Sequence, residues 1–282
     1  MIHSSRQLKA LIRNMSKGDS TQAQILIRNY VMERFLERIS LSTYKENFIL
    51  KGGMLVAVMV GIDARSTMDL DATIKNQVLS IENTEKMIRE IIDVPIDDGV
   101  TFTIKGLAEI MDAAEYGGIR VSLEAMLETM RTPLKLDISA GDIITPSEVS
   151  YTVKLMFEER TISIMAYNLE TVLAEKLETI ITRGTANTRL RDFYDLYILQ
   201  TDHSHGIGRD LFAKAFAATC EKRQTANIAH DGTLIISEIE ASDIMQGLWK
   251  SYQQKFSYAQ DISWDMVIES LKTLFQMTGI AG

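Results

Sequence analysis

Two aspartates separated by one residue, Asp69 and Asp71, are the side chains of this 282-residue chain best suited to phosphoryl-transfer chemistry. They lie in a segment, 65–74, where polar and apolar residues alternate as in a strand. In an extended segment both carboxylates leave the same face and can share a pair of divalent cations. Two cations about 3.5–4 Å apart suit in-line displacement at phosphorus, and oxygen ligands favour Mg²⁺. The alternative is a solvated turn, since such a pair is a weak signal by itself.

A cation and a hydroxyl accompany this pair. Arg65 and Thr67 alternate in step with the two aspartates, so we expect all four side chains on one strand face. There they could contact the phosphates of a bound nucleotide. An exposed polar strand face is the alternative interpretation.

A glycine pair precedes the aspartates. Gly52 and Gly53 follow a short apolar run, 47–50, and open the segment MLVAVMVG, which is typical of a buried helix. Backbone N–H groups at a helix N-terminus, with no side chain in the way, can hold a polyphosphate. A plain strand-to-helix turn explains the same residues without a ligand.

A third carboxylate lies within another apolar strand pattern. Asp137 stands in LKLDIS, where Leu134, Leu136 and Ile138 alternate with polar residues. A carboxylate in a core strand is costly to desolvate unless it is paired or bound to a metal. If this strand neighbours the Asp69–Asp71 strand, Asp137 completes a metal-binding triad and could help deprotonate an acceptor hydroxyl. An edge-strand polar residue is the alternative.

A lysine faces the apolar side of a predicted helix. Lys176 falls between Val172 and Leu173 on the stripe of helix 169–183, so it must snorkel, pair with a carboxylate or reach an anionic ligand. Asp192 and Asp195 in the next helix could anchor it. Around the turn between these helices, a local basic patch could contact an acceptor phosphate, or could simply be a solvated helix start. The patch consists of Arg183, Arg189 and Arg191.

Composition limits the possible classes of protein. The formal charge of −8 argues against a protein that coats nucleic acid indiscriminately, although a local basic groove remains possible. A single cysteine, Cys220, excludes an internal disulfide framework and indicates a reducing compartment. We find no apolar run long enough for a membrane span and no signal peptide, so the expected location is the cytoplasm.

The chain divides into a mixed half and a helical half. Strands are expected at 101–110, 118–126 and 134–139, and the 136 residues after Pro146 contain no proline, which suits helices. We therefore predict an α/β (α+β) fold in which a mixed sheet flanked by helices, 1–165, precedes a helical domain, 166–282. Helices are predicted at 21–39, 81–92, 169–183, 189–200, 209–222, 241–256 and 263–277.

Taken in order, six segments resemble the AbiEii/AbiGii family of bacterial nucleotidyltransferase toxins from type IV toxin–antitoxin systems. The similarity spans about residues 48–200 and depends on the order and spacing of the segments. It implies a core like that of the DNA-polymerase-β nucleotidyltransferases, followed by a helical domain. The segments are KGG, RSTMDLD, EYGGIRVSLEA, LKLDISAGD, LAEKLETIITRG and RLRDFYDLY.

The resemblance also implies roles for individual positions. Gly52 and Gly53 match the family's phosphate-holding glycines, Asp69 and Asp71 its metal pair, and Asp137 its third acidic position. The usual Gly-Ser of the superfamily is Gly-Gly in this sequence, and the gap from Gly53 to Asp69 is long. Both features differ from the wider superfamily but look normal for this toxin family.

Two further positions match in the second half. Lys176 matches the family's helix lysine and Asp192 its later aspartate, with Asp195 competing for that last match.

From the resemblance we expect transfer of a nucleoside monophosphate from NTP–Mg²⁺ to an acceptor hydroxyl. Family members suggest an RNA acceptor, such as a tRNA 3′ end. A toxin of abortive phage infection, neutralised by a separately encoded antitoxin, is the implied biology. The alternatives are transfer to a protein hydroxyl and a non-catalytic nucleotide-sensing module. A structural DNA-binding protein is disfavoured by the charge.

Overall fold

A computed structural model describes residues 1–61, 65, 67, 69–110 and 117–280. The described chain forms two compact units. The first contains most of residues 1–166, and the second contains Arg65, residues 143–147 and residues 167–280. The division into two domains at 165/166 stays a prediction.

The first unit is built on a seven-stranded mixed sheet. Its strand order is β3-β4-β5-β2-β1-β7-β6. The pairs β5–β2 and β1–β7 are parallel, whereas the other neighbours are antiparallel. The strands are β1 (Phe48–Lys51), β2 (Leu70–Ile74), β3 (Val100–Ile110), β4 (Gly118–Leu127), β5 (Met130–Ala140), β6 (Val149–Lys154) and β7 (Thr161–Ala166).

One face of the central strands is apolar and fully buried. Leu50, Ala72 and Ile138 are each at most 1% exposed, and Ala72 and Ile138 alternate with polar residues on their strands. Period-two alternation sends these apolar side chains to one side of the sheet and the polar ones to the other. The polar side therefore carries the residues singled out by the sequence.

Four helices accompany this sheet in the described residues. They are α1 (Ser5–Met15), α2 (Ser20–Leu41), α3 (Gly52–Val60) and α4 (Ile81–Ile92). The 22-residue helix α2 contacts β5 and β7 and is buried along most of its length. Side-chain oxygens cap three of these helices, with Ser4, Asp19 and Ser80 accepting N–H groups of the first turn.

The second unit is helical throughout its regular structure in the described residues. Its α-helices are α5 (Leu169–Arg183), α6 (Leu190–Asp202), α7 (Arg209–Arg223), α8 (Ala226–His230), α9 (Gly232–Ala241), α10 (Asp243–Lys255) and α11 (Trp264–Met277). Within the described part of the chain, every helix is too short or too polar to cross a lipid bilayer.

The predicted fold class is confirmed, with corrections to individual elements. The strand predicted from 65 begins only at Leu70, so Arg65, Thr67 and Asp69 precede it. Strands β6 and β7 were not predicted, although the alternating apolar residues of β7 are typical of a strand. Helix α1 and the short helices α8 and α9 were not predicted either. Helix α9 is rich in isoleucine, which weakens a helical propensity signal.

Candidate active site

Four charged residues form a row across four adjacent strands of the first unit. Asp71 on β2 is the register partner of Asp137 on β5 and of Lys51 on β1. Arg120 on β4 is in turn the register partner of Asp137. Directly paired residues project from the same face of a sheet, so the row reads cation, carboxylate, carboxylate, cation. The strands that carry Asp71 and Asp137 are thus neighbours, which is the condition stated above for a metal-binding triad.

Arg120 binds Asp137 through two parallel hydrogen bonds. Its Nε donates to Oδ1 at 2.8 Å and its second terminal nitrogen donates to Oδ2 at 2.6 Å. Both groups keep some solvent access, with 42% and 24% of their side chains exposed. The bonds to Asp137 raise the pKa of Arg120 above its ordinary value, so the guanidinium stays charged.

Lys51 balances the other end of the row through a different carboxylate. Its Nζ lies 2.5 Å from Oδ2 of Asp142, a residue just beyond β5. The Ser139 hydroxyl donates to the same oxygen at 2.9 Å. Both members of the Lys51–Asp142 pair are largely buried, so the position of the ammonium beside Asp71 is well defined.

The two central carboxylates repel one another. Burial, followed by the negative charge of Asp137, raises the pKa of Asp71, while the charge of Lys51 opposes the shift. A cation placed against this pair would relieve both the desolvation and the repulsion. The donor set also fits Mg²⁺, which prefers carboxylate oxygens, so Asp71 and Asp137 are chemically suited to hold it.

The glycine pair touches the carboxylates directly. Gly52 opens α3 with a φ of +63°, and a Cβ built on it would lie 2.8 Å from Cγ of Asp71. The Gly53 N–H points at Oδ2 of Asp71, at a long 3.4 Å. In this structure glycine is required because the backbone passes against the Asp71 side chain. Phosphate binding by these N–H groups stays a prediction.

Asp69 and Thr67 lie just before β2. Asp69 is exposed, and Thr67 is buried with its hydroxyl donating to the Asp69 carbonyl oxygen at 3.2 Å. The Asp69 charge acts on both Asp71 and Arg120, though as a minor contribution. Among the described residues, no three carboxylate, histidine or cysteine side chains already converge on a potential metal position. The carboxylates that do meet are Asp71 and Asp137.

A second ionic cluster lies within the second unit and joins Lys176, Asp192, Asp195 and Arg65. The Lys176 Nζ is 2.8 Å from Asp192 Oδ1 and 2.7 Å from Asp195 Oδ2. Arg65 donates to both oxygens of Asp195, each at 3.0 Å. Asp195 and Arg65 are almost completely buried, whereas Asp192 keeps 17% of its side chain exposed. Lys176 therefore pairs with carboxylates, one of the three options left open by its helical position.

Helical spacing brings the two aspartates together. Asp192 and Asp195 are three residues apart on α6 and share a face, opposite the lysine of α5. Burial acts to raise the pKa of Asp195, but Arg65 and Lys176 outweigh it and lower this pKa to about 2. Burial acts to lower the pKa of Lys176, but both aspartates outweigh it and raise this pKa. Asp195, Lys176 and Arg65 are therefore ionised at neutral pH.

Arg65 differs from its expected position. It belongs to the second unit and its guanidinium is buried against Asp195, instead of sharing a strand face with Asp69 and Asp71. The alternation from 65 onward was misleading, because strand β2 and its pairing with β5 begin at Leu70.

Three charged residues of the first unit were not predicted as site residues. Lys51 was seen only as a pattern break, although it directly precedes the glycine pair. Arg120 lies in the segment GIRVSLEA, where it alternates with Ile119 and Val121. This alternation marked it as a residue of the polar strand face. Asp142 gave no periodic signal because it follows the end of β5.

A protein-family model matches most of the chain. A model of the family described as nucleotidyl transferase AbiEii toxin, type IV toxin–antitoxin system, matches residues 34–270. No curated protein gives a match.

Two solved structures from Helicobacter pylori are similar. JHP933 has a TM-score of 0.52 and 16% sequence identity, covering 91% of this chain and 92% of that chain. A candidate nucleotidyltransferase from H. pylori has a TM-score of 0.49 and 15% identity, covering 91% of this chain and 95% of that chain. At this identity the likeness to JHP933 shows a shared fold.

Proposed function

Since the chain belongs to the AbiEii family of nucleotidyl transferase toxins from type IV toxin–antitoxin systems, we propose that it transfers a nucleoside monophosphate from NTP–Mg²⁺ to a hydroxyl of RNA. A tRNA 3′ end is the first acceptor to test. The proposal includes growth arrest relieved by a separately encoded antitoxin, a role in abortive phage infection, and a cytoplasmic location, where NTPs and RNA occur together.

The register pairing of Asp71 with Asp137 is the observation that carries this proposal. Asp71 and Asp137 would hold Mg²⁺, with Asp69 as a further ligand from the segment before β2. When bound, the cation supplies positive charge to the phosphates and to the attacking and leaving oxygens. The exposed position of Asp69 leaves its carboxylate accessible to a ligand that arrives with the nucleotide.

The protein's own residues prepare this site before substrate arrives. Arg120 orients the Asp137 carboxylate through two hydrogen bonds, and Asp142 holds Lys51 at the register position next to Asp71. Gly52 lets the start of α3 approach Asp71, so the Gly53 N–H faces that carboxylate. A triphosphate bound there would meet N–H donors and a positive helix end.

We further propose that Lys176 and Asp192 are required for transfer. Asp192 is the partly exposed carboxylate of its cluster, and Lys176 pairs both with it and with Asp195, which also binds Arg65. A lysine held in this way presents a fixed positive charge, which suits the binding of an anionic substrate. The family resemblance of LAEKLETIITRG and RLRDFYDLY supports the same two residues.

Labelled-nucleotide transfer tests the proposal. Purified protein is incubated with Mg²⁺ and each α-labelled NTP in turn, with total RNA or total protein as acceptor. We expect label in RNA with one or more NTPs, and at least about a hundred-fold loss of transfer in Asp71→Asn and Asp137→Asn. The matched control is Asp97→Asn, because the Asp97 side chain is fully exposed and should be dispensable.

Each negative outcome has a distinct meaning. Label in protein alone would replace RNA by a protein hydroxyl as acceptor. No label in either fraction, together with equal toxicity of wild type and Asp71→Asn in cells, would favour a non-catalytic nucleotide-sensing module. Sequencing of tRNA ends from cells expressing the wild type tests the specific acceptor, and unchanged 3′ ends would exclude it.

A further inference from the structure

An aromatic ring lies close to two cations at the end of α10 in the second unit. The Nζ of Lys255 is 5.4 Å from the centroid of the Phe256 ring, and the guanidinium carbon of Arg191 is 5.9 Å from the same centroid. Both distances are within the range of cation–π attraction. Lys255 is exposed, while Phe256 and Arg191 are half-buried, so the ring and its cations face solvent in part.

Other aromatic side chains pack against the Phe256 ring. Tyr258 stacks on Phe256 with centroids 5.3 Å apart and planes 23° apart. Tyr252 packs against Phe256 at 4.7 Å and is itself stacked on the buried Trp249. The hydroxyls of Tyr252 and Tyr258 lie 3.1 Å apart, which fixes both rings. The platform is therefore preorganised and would lose little entropy on binding a flat ligand.

Hydrophobic packing alone does not explain this arrangement. Other phenylalanines of the unit, such as Phe193, Phe212 and Phe216, are at most 1% exposed and serve the core. Phe256 instead keeps solvent contact and lies close to two cations. The combination of an accessible ring and adjacent cations is the recognition chemistry of single-stranded nucleic acid, in which bases stack and phosphates meet Lys or Arg.

We propose that the surface formed by Arg191, Lys255, Phe256 and Tyr258, here named the Phe256 platform, binds single-stranded RNA by stacking one base. Arg191 and Lys255 then contact the phosphates flanking that base. Charge complementarity favours RNA as the occupant, because this local patch is positive within a chain of net charge −8. The inference rests on the proposed function, which supplies RNA as the acceptor, and it names the residues that receive it.

Binding of a fluorescent single-stranded RNA of about 12 nucleotides, measured by anisotropy without Mg²⁺ or NTP, tests the platform. We expect Phe256→Leu to weaken binding about ten-fold and Phe256→Trp to restore it, since one base stacked on an aromatic ring contributes on this scale. Lys255→Ala should weaken binding and reduce its salt dependence. Tyr151→Leu, a half-buried tyrosine of the first unit, is the matched control and should bind as wild type.

An RNA of the same length with abasic positions separates stacking from misfolding. Wild type and Phe256→Leu should bind that RNA equally, whereas Lys255→Ala should still bind it more weakly. Unchanged RNA affinity in Phe256→Leu would overturn the inference, as would a loss of NTP affinity in its place. Because the assay contains no nucleotide and measures no transfer, its failure is distinguishable from a failure of the labelled-nucleotide experiment.

Discussion

The guanidinium of Arg120 occupies both carboxylate oxygens of Asp137, the register partner of Asp71. A divalent ion bound to Asp137 would share these oxygens with the two hydrogen bonds and would lose electrostatic energy to the nearby positive charge. We therefore expect Arg120 to act as an internal counter-ion that competes with a bound metal. It also keeps two like charges on neighbouring strands compatible with folding.

Replacing this counter-ion should tighten metal binding. We expect Arg120→Met to bind Mn²⁺ about two- to five-fold more tightly in calorimetric titrations without nucleotide, because a partly exposed ion pair is worth at most about 1 kcal/mol. The same variant should melt at a lower temperature without divalent ions, since the repulsion between Asp71 and Asp137 is then uncompensated. Arg131→Met, an exposed arginine of β5, is the control. Weaker Mn²⁺ binding by Arg120→Met would show that Arg120 organises the site without competing for it.

Gly52→Ala should disable the site through a steric clash. The added Cβ would overlap the Asp71 side chain, and φ of +63° adds backbone strain, so we expect a loss of about 3 kcal/mol in stability and loss of transfer. Gly18→Ala is the matched control, because Gly18 also has a positive φ, +87°, but has open space around it. That variant should lose only about 1 kcal/mol. Normal transfer activity in Gly52→Ala would contradict the close approach.

The two aspartates of α6 should separate into a structural and a functional residue. Asp195→Asn leaves the buried Arg65 and Lys176 without their shared carboxylate, so we expect a loss of about 3 kcal/mol in unfolding free energy. Asp192→Asn should cost about 1 kcal/mol, because Asp192 is partly exposed and Lys176 keeps Asp195. Activity should nevertheless be abolished by Asp192→Asn.

Urea unfolding followed by tryptophan fluorescence measures this difference. Both tryptophans of the chain, Trp249 and Trp264, lie in the second unit, so their signal reports the unit that contains the cluster. Equal destabilisation by the two variants, or full activity in Asp192→Asn, would refute the assignment.

Glu33 should make the first unit less stable as pH rises. Burial and the charges of Glu158 and Glu37 raise the pKa of Glu33, the Met156 N–H and Arg34 oppose the shift, and the resulting pKa is about 7. The folded state therefore holds a proton that the unfolded state releases near pH 4.5. The stability contributed by this group falls between about pH 4.5 and pH 7 and does not change above that range.

Glu33→Gln removes this titration and tests the sign. The variant's stability relative to wild type should increase across that pH window, by up to roughly 3 kcal/mol for a shift of this size. Urea unfolding followed by far-UV circular dichroism at several pH values measures it. Glu109→Gln, an exposed glutamate of β3, should show no such trend. A difference between Glu33→Gln and wild type that stays constant with pH would contradict the prediction.

Local periodicity was sufficient to predict several elements of the fold. The helices at 81–92 and 169–183 have the predicted bounds, because each has an apolar stripe of helical period and an N-cap residue, Ser80 or Asn168. Periodicity failed before Leu70, because the described residues Arg65, Thr67 and Asp69 follow the alternating pattern but lie outside β2. Edge strand β6 was missed because most of its side chains are exposed, which removes the apolar signal.

The sequence by itself determined the types of side chain available: carboxylates at 71 and 137 on polar strand faces, glycines before a helix, and a lysine on an apolar stripe. Only the tertiary structure decided their partners. Strand register sets Asp71 against Asp137 and Lys51, and it sets Asp137 against Arg120. Helix packing gives Lys176 both Asp192 and Asp195. The physical reason is that side-chain periodicity reports which face is buried, whereas pairing between distant segments depends on packing of the whole chain.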